Sequence, residues 1–449
     1  MKLKHFIGKD VRGYMNFDIH FRDGVTFLIG INGSGKTTVL KLLSGLLEPS
    51  YRVLNDIEFS ELILKCETDE GKNVYIFCQK DNTCMILQYD DKKEKSPIKE
   101  EFKISERFQN MEENTDFERE EYVKNRGLFE NSIVVEKIKS IQTPLFLGIN
   151  RRIIEMNRGI PTSSMRDIQM RRRSRTIDDA VDRALLDIQN MVFDSVRHNA
   201  KKQGTYADNF RKKVLHDSFQ FYNEIPSLLT DDYDKELLLL PQKKENIKVA
   251  VKELGLNELD DELDDAFNQL EILLKTLSEQ SSKRDRNPEF YNTLLKWMVN
   301  SSQLDKIDKL TSYGNEYLEN LKKLREPVLR FQDGVNMFFR EGKKMLIVDG
   351  QGDIKIKVSP KRINSVYELS SGEKQLIIML AHLALNQGNK QSSIFLIDEP
   401  ELSLHISWQE LFVDALLKAS PNTQFIIATH APAILAKPER KEWCVDLSR

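Results

Sequence analysis

The sequence predicts an α/β fold in which two strand-bearing lobes, residues 1–152 and 340–449, are separated by a large helical insertion at 153–339. Three observations carry this. Apolar residues alternate from Lys2 to about Tyr89, as in half-buried strands. From about Ile153 to Phe339 the texture becomes long, charged and helical, and from Met345 it reverts to strands. A glycine-rich string at one end and an acidic strand end at the other must then meet through folding.

In the first lobe Phe17, Ile19 and Phe21 alternate, Val25 to Ile29 is an apolar run, and Leu62 to Cys66 and Val74 to Phe77 read as further strands. Between Val39 and Leu47 apolar residues recur at helical spacing, so the glycine string lies between a strand and a helix. The charged stretch Asp90 to about Lys124 reads as a loop region, and Pro144 to Ile149 as a strand that stops at Asn150, Arg151 and Arg152. In the insertion Leu238, Leu263, Leu270, Leu274, Leu294, Leu310 and Leu321 are set among Lys, Glu and Asp. Pro226, Pro241, Gly255, Pro288 and Pro327 interrupt this pattern and predict several shorter helices rather than one unbroken pair. In the last lobe Gly350, Gly352 and Asp353 predict a hairpin turn between Leu346–Val348 and Ile354–Val358.

At 449 residues with 40% hydrophobic content, the chain has the composition of a soluble globular protein with a sizeable core. Its 67 basic and 70 acidic residues leave a net charge of −3, so attraction to nucleic acid must come from a local patch. Cys66, Cys78, Cys84 and Cys444 form no C-x-x-C pair, which argues against structural zinc and a disulfide framework and for a reducing compartment. The amino terminus lacks a signal-peptide core, and no stretch approaches the ~18 apolar residues of a membrane span. A cytoplasmic location without membrane partners is expected.

The string Gly30-Ile31-Asn32-Gly33-Ser34-Gly35-Lys36-Thr37-Thr38 carries the first chemistry. Its glycines let successive N–H groups converge on phosphate oxygens, the following helix adds its positive N-terminal end, and Lys36 can reach the β- and γ-phosphates of a nucleotide. Thr37 is placed to hold Mg2+. The apolar run Ile394 to Ile397 ends in Asp398 and Glu399, as where a buried parallel strand delivers carboxylates at its C-terminal end. Asp398 is the candidate Mg2+ ligand and Glu399 the candidate polariser of an attacking water. Ser370-Ser371-Gly372-Glu373 fits a capping box, with Ser370 as N-cap and Glu373 three residues on, ahead of the apolar helix Leu376 to Leu385. Such a helix end also attracts anions. A last strand, Phe425 to Thr429, delivers His430 to the same sheet edge as Asp398, where it is a candidate γ-phosphate contact.

Together these strings resemble the ABC-type P-loop ATPases of the chromosome-maintenance, RecF and RecN branch. The likeness is strongest to phage-defence ATPases related to the overcoming-lysogenisation-defect family, such as AriA of the PARIS system. It covers about Met1 to Lys41 and Phe331 to Pro432. The resemblance implies ATP and Mg2+ as cofactors, Lys36 and Thr37 as Walker A residues, Asp398 and Glu399 as the Walker B pair, and His430 as a switch histidine. Ser370 and Gly372 fall on the signature motif that contacts ATP held by an opposite subunit, which implies an ATP-dependent homodimer or higher homo-oligomer. It further implies ATP hydrolysis, a phage-encoded trigger and a separately encoded effector nuclease of TOPRIM or HNH type. A DNA-repair ATPase that clamps DNA, and a nucleotide-gated scaffold, are the other classes.

Departures from the family pattern are specific. Ser371 stands where transporters have glycine, Glu373 where they have glutamine, and His405 where the loop after Walker B has aspartate. Asn150 and Arg151 are candidates for the loop residue that usually is glutamine. The insertion lacks the paired cysteines of a zinc hook. Arg166, Arg171, Arg172, Arg173 and Arg175, behind Arg151, Arg152 and Arg158, make a basic patch that suits nucleic-acid phosphates, a solvated surface or an acidic partner alike.

Overall fold

The alternation of the first lobe builds a six-stranded antiparallel sheet in the order β2-β1-β4-β5-β6-β7. Its strands are β1 (Lys2–Val11), β2 (Met15–His20), β4 (Glu61–Glu67), β5 (Asn73–Lys80), β6 (Cys84–Asp90) and β7 (Ile98–Lys103). The structure, a computed structural model, describes residues 1–91, 96–104, 116–141, 145–147, 180–218, 233–281, 288–385 and 394–448. In β4 and β6 every second residue is buried, the period expected when one face of a sheet meets a core.

A second sheet is parallel throughout, in the order β14-β3-β13-β12-β8. It comprises β3 (Val25–Ile29), β8 (Leu145–Leu147), β12 (Ile394–Asp398), β13 (Gln424–Ala428) and β14 (Cys444–Asp446). The central strands β12 and β13 are buried at every residue, which is why they read as unbroken apolar runs. Helix α1 (Lys36–Leu47) shares one core with both sheets: Val39, Leu42 and Leu46 cluster with Leu64 and Ile76 of the antiparallel sheet and with Leu396 and Ile426 of the parallel one. A small sheet of β9 (Met345–Val348), β10 (Ile354–Ser359) and β11 (Arg362–Asn364) contains the expected hairpin, with Gly352 at φ +89° in its turn.

One buried side chain stitches the two large sheets together. Gln424, fully buried at the start of β13, donates from Nε2 to the carbonyls of Leu3 (2.8 Å) and Arg22 (2.7 Å), and its Oε1 accepts from the Leu3 N–H at 2.7 Å. Leucine of similar volume removes all three hydrogen bonds, two of them to the buried backbone of Leu3. We expect Gln424→Leu to lower the unfolding free energy by about 3 kcal/mol. Urea denaturation measures this, and an unshifted midpoint contradicts it.

Contacts divide the described chain into two compact units, Met1–Phe193 with Pro327–Arg449, and Asp194–Glu326. Sequence texture changes near 153 and 339, whereas these divisions fall inside helices α5 (Ala180–Ser218) and α8 (Pro288–Phe339). The reason is burial: Leu185, Ile188 and Val192 of α5 and Phe331, Val335 and Phe338 of α8 are buried residues of the first unit. The second unit has its own core, in which Leu240, Ile247 and Val251 of α6 (Tyr233–Glu253) meet Phe267, Leu270 and Leu274 of α7 (Asp260–Ser281) and Ile307 of α8.

Two expectations are corrected. Residues 90–124 are not simply a loop region: β7 and α3 (Asp116–Glu130) form there, followed by α4 (Ile133–Ile141). The charged residues of β7 alternate with Ile98 and buried Phe102, and Phe129 of α3 packs edge-on against Phe102 at 4.8 Å. Pro241 and Pro327 do not end helices, since α6 runs through the first and α8 runs 52 residues through the second. A proline removes one intrahelical hydrogen bond locally, and the buried residues on both sides offset that cost. Gly255, by contrast, does terminate α6: at φ +73° it lets its N–H reach the Lys252 carbonyl and the Leu256 N–H reach Val251. Among the described residues no helix is long and apolar enough to cross a membrane.

Candidate functional site

Strand β3 leads directly into the glycine string, and α1 begins at Lys36. Gly35 has φ +90°, and a Cβ there would lie 2.6 Å from the Phe17 ring and 3.0 Å from the Met15 sulfur, so only glycine lets the loop lean on β2. Lys36 is buried and folds back across the loop, its Nζ donating to the carbonyls of Gly30 (2.9 Å) and Ile31 (3.1 Å). Burial pushes its pKa down, opposed by the carboxylates of Glu399, Asp398 and Glu401. Asn32 and Gly33 are exposed at the loop crest, and Thr38 is buried beneath it. The Ser34 hydroxyl is buried with no hydrogen-bond partner.

The acidic strand end arrives from the other side. Because β12 lies two strands from β3, with β13 between, Asp398 reaches the start of α1, where its Oδ1 accepts from the Thr37 hydroxyl at 3.1 Å. Asp398 is only 4% exposed, and its Oδ2 has no partner. Burial pushes the Asp398 pKa up, the Thr37 hydrogen bond opposes this, and nearby Glu399 adds to it. A buried carboxylate oxygen without a partner beside a threonine hydroxyl is a donor set that fits a hard divalent cation such as Mg2+.

Glu399 is left-handed at φ +49°, ψ +58°, a conformation that costs a non-glycine residue about 1–2 kcal/mol. Its N–H is held by the Ala428 carbonyl at 2.9 Å, and Pro400 follows. The turn points the side chain back toward the end of β13, where Glu399 Oε1 lies 3.6 Å from His430 Nε2. Glu401, which belongs to no motif of the sequence, ties this edge together. Its Oε2 accepts from the Thr429 hydroxyl at 2.9 Å and its Oε1 from the His430 N–H at 2.7 Å. Its acid two residues beyond Glu399 was the available signal, but no local rule connects it to a strand end that comes later in the chain.

The structure thus brings Lys36, Thr37, Asp398, Glu399 and His430 to one edge of the parallel sheet. Ser370 and Gly372 belong to a different neighbourhood. Helix α9 (Ser371–Leu385) starts with the capping box: Glu373 accepts from the Ser370 N–H and hydroxyl, both at 2.9 Å, and its own N–H donates to Ser370 Oγ at 3.4 Å. Glu373 also pairs with Lys344 at 2.8 Å, and Lys374 with Asp182 of α5 at 2.7 Å. Burial raises the Glu373 pKa, but the Lys344 ion pair and the Ser370 bonds more than reverse this and hold it below 4.5.

A depressed carboxylate pKa means that Glu373 stabilises the fold above pH 4.5 and loses that contribution as pH falls through its folded value. Glu373→Gln is therefore expected to cost about 1 kcal/mol at neutral pH and progressively less in acid. Unfolding curves across pH check this; a penalty that grows on acidification contradicts it.

His405 caps α10 (Ile406–Ala419); its Nδ1 meets Ser407 Oγ at 3.0 Å, and that hydroxyl donates to Glu341 at 3.0 Å. Asn150, Arg151 and the arginines Arg152, Arg158, Arg166, Arg171, Arg172, Arg173 and Arg175 lie outside the described residues.

A family profile described as an AAA ATPase domain matches residues 1–435, nearly the whole chain. The chain belongs to this ATPase family. Among curated relatives, the ATPase is 28% identical over 243 residues to the retron Ec83 probable ATPase of Escherichia coli, which covers 51% of this chain and 41% of the relative. It is 40% identical over 80 residues to the retron Vc95 probable ATPase of Vibrio cholerae serotype O1 biovar El Tor, covering 16% of each. It is 21% identical over 252 residues to the chromosome partition protein Smc of Methanocaldococcus jannaschii, covering 56% of this chain and 20% of the relative. The matched stretches span less than half the length of each of these relatives. The chain is thus similar to ABC-type ATPases such as Smc, and its α/β fold carries a helical insertion.

Proposed function

We propose that this ATPase binds Mg2+ and ATP between two copies of itself and uses the nucleotide cycle to control a separately encoded effector nuclease in anti-phage defence. The single observation that carries the catalytic part is the convergence of Thr37, Asp398, Glu399 and His430 beside the phosphate loop. In this reading the loop N–H groups of Gly33, Ser34, Gly35, Lys36, Thr37 and Thr38 and the side chain of Asn32 cradle the triphosphate. Lys36 leaves the carbonyls of Gly30 and Ile31 for the β- and γ-phosphates. Thr37 and Asp398 would hold Mg2+, which would supply charge neutralisation to the phosphates. Glu399 takes a proton from a water whose oxygen attacks the γ-phosphorus as the bond to the ADP oxygen breaks, giving ADP and phosphate and later releasing the proton to solvent, and His430 steadies both Glu399 and the γ-phosphate.

In this reading a second copy supplies Ser370 and Gly372 to the triphosphate; the Ser370 side chain is engaged with Glu373 at its own helix start, which supports this. Ile31, Leu402 and Ile406 expose 73%, 56% and 65% of their surface, an apolar fringe suited to a facing protomer. Similarity to two retron ATPases supports the defence setting. Similarity to Smc favours the second reading, an ATP-dependent DNA clamp. Co-purification with the product of the adjacent gene, with and without ATP, tests the first. Capture of a nuclease whose association changes with nucleotide supports it, whereas no such partner together with salt-sensitive, ATP-dependent DNA binding supports the clamp.

A further inference from the structure

Strand β2 presents two faces with different chemistry. Phe17 and Ile19 point into the core, while Asp18 and His20 face outward with 71% and 77% of their side chains exposed. Across the ladder His5 of β1 pairs directly with His20, and two positions along, on the same face, Ile7 pairs with Asp18. Directly opposed residues on one face bring their side chains together, and here the two imidazoles stack at 4.0 Å with their planes 7° apart. His5 Nε2 lies 2.6 Å and His20 Nε2 3.8 Å from one and the same oxygen of Asp18. Ligand atoms of all three side chains fall within 4.8 Å of one another.

We propose that His5, Asp18 and His20 form a binding site for a divalent transition-metal ion of the zinc class. Two imidazole nitrogens and one carboxylate oxygen are the donor set such ions take, whereas Mg2+ prefers oxygen alone, so the site is chemically separate from the pair Thr37 and Asp398. With metal–ligand bonds of about 2.0–2.1 Å, the ligand atoms of a tetrahedral ion stand roughly 3.4 Å apart. That spacing lies between the two distances to Asp18 Oδ1, so small side-chain rotations on a rigid hairpin complete the geometry. Exposure leaves a fourth position for water. Lys65, the β4 neighbour of His5, directs its ammonium toward the Tyr75 ring at 6.0 Å. The inner face of β2 carries Phe17 and Met15 against Gly35, so an ion clipping β1 to β2 stiffens the strand on which the phosphate loop leans.

The test is titration of the 449-residue, tag-free and nucleotide-free chain with Zn2+ by calorimetry, with Co2+ absorption as the coordination signature. Wild type is expected to show one saturable site and a zinc-dependent rise in melting temperature. His20→Ala and Asp18→Asn, both at exposed positions, should each weaken binding by at least about tenfold and abolish the melting shift. His216→Ala, a histidine of the other unit, should leave both unchanged. Absence of a saturable site in wild type, retention of full affinity in His20→Ala, or equal loss in His216→Ala overturns the proposal. None of these outcomes touches the nucleotide reading.

Discussion

Lys36→Ala is expected to remove ATP binding, weakening it by at least about a hundredfold, equivalent to ~2.7 kcal/mol. The ammonium is the only charge that the phosphate loop itself carries, and the fold has already stripped it of water: it is buried and satisfied by two loop carbonyls. Burial weakens its hold on the proton while three carboxylates strengthen it. A triphosphate that replaces the carbonyls as the lysine's partner meets a positive charge that needs little further desolvation, and charge-assisted bonds to phosphate are the strong kind. Alanine removes that charge and leaves the backbone cradle, which alone binds weakly. Titration with a fluorescent ATP analogue measures the loss, and undiminished affinity refutes the assignment. A circular-dichroism melt near the wild-type value separates lost binding from lost fold.

Glu399→Gln is expected to reduce ATP turnover by about 10²–10⁴-fold while preserving or tightening ATP binding. Glutamine keeps the size of the side chain and removes its ability to take a proton from water. The left-handed backbone is held by Ala428 and Pro400 rather than by the carboxylate, so the turn survives the change. Without hydrolysis the ATP-bound dimer should persist, and light scattering on a sizing column should show a larger, longer-lived species only when ATP is present. Single-turnover rates equal to wild type eliminate Glu399 as the group that polarises water. Glu399→Gly adds a control: it relieves the φ +49° conformation and should stabilise the nucleotide-free chain by about 1 kcal/mol while abolishing turnover.

Much of the architecture is legible because it follows rules that act within a few residues. The Val25–Ile29 run, the glycines and the helical spacing after Val39 together place the phosphate loop between β3 and α1 without any knowledge of the rest of the chain. The Ser370–Glu373 pair reads as a capping box because both partners lie within one turn, and the box forms. The unbroken apolar runs before Asp398 and His430 predict central parallel strands, since only such strands are buried on both faces. Charge texture misled where tertiary contact intervened. Residues 98–103 look like loop until β6 offers them a ladder, and Pro327 looks like a helix end until its flanks are buried.

By itself the sequence determined the local chemistry: which loop can hold phosphate, which helix start is capped, which strand ends carry acids. Only the tertiary structure decided which of these meet. Thr37 and Asp398 are 361 residues apart and touch because the strand order β3-β13-β12 sets their ends on one edge. The same edge pairs Glu399 with His430 and gives Glu401 its place, while Ser370 is kept to its own helix. The physical reason is range: turn, cap and burial preferences are settled by neighbours in the chain, whereas contact between distant residues is settled by how sheets order their strands around a shared core.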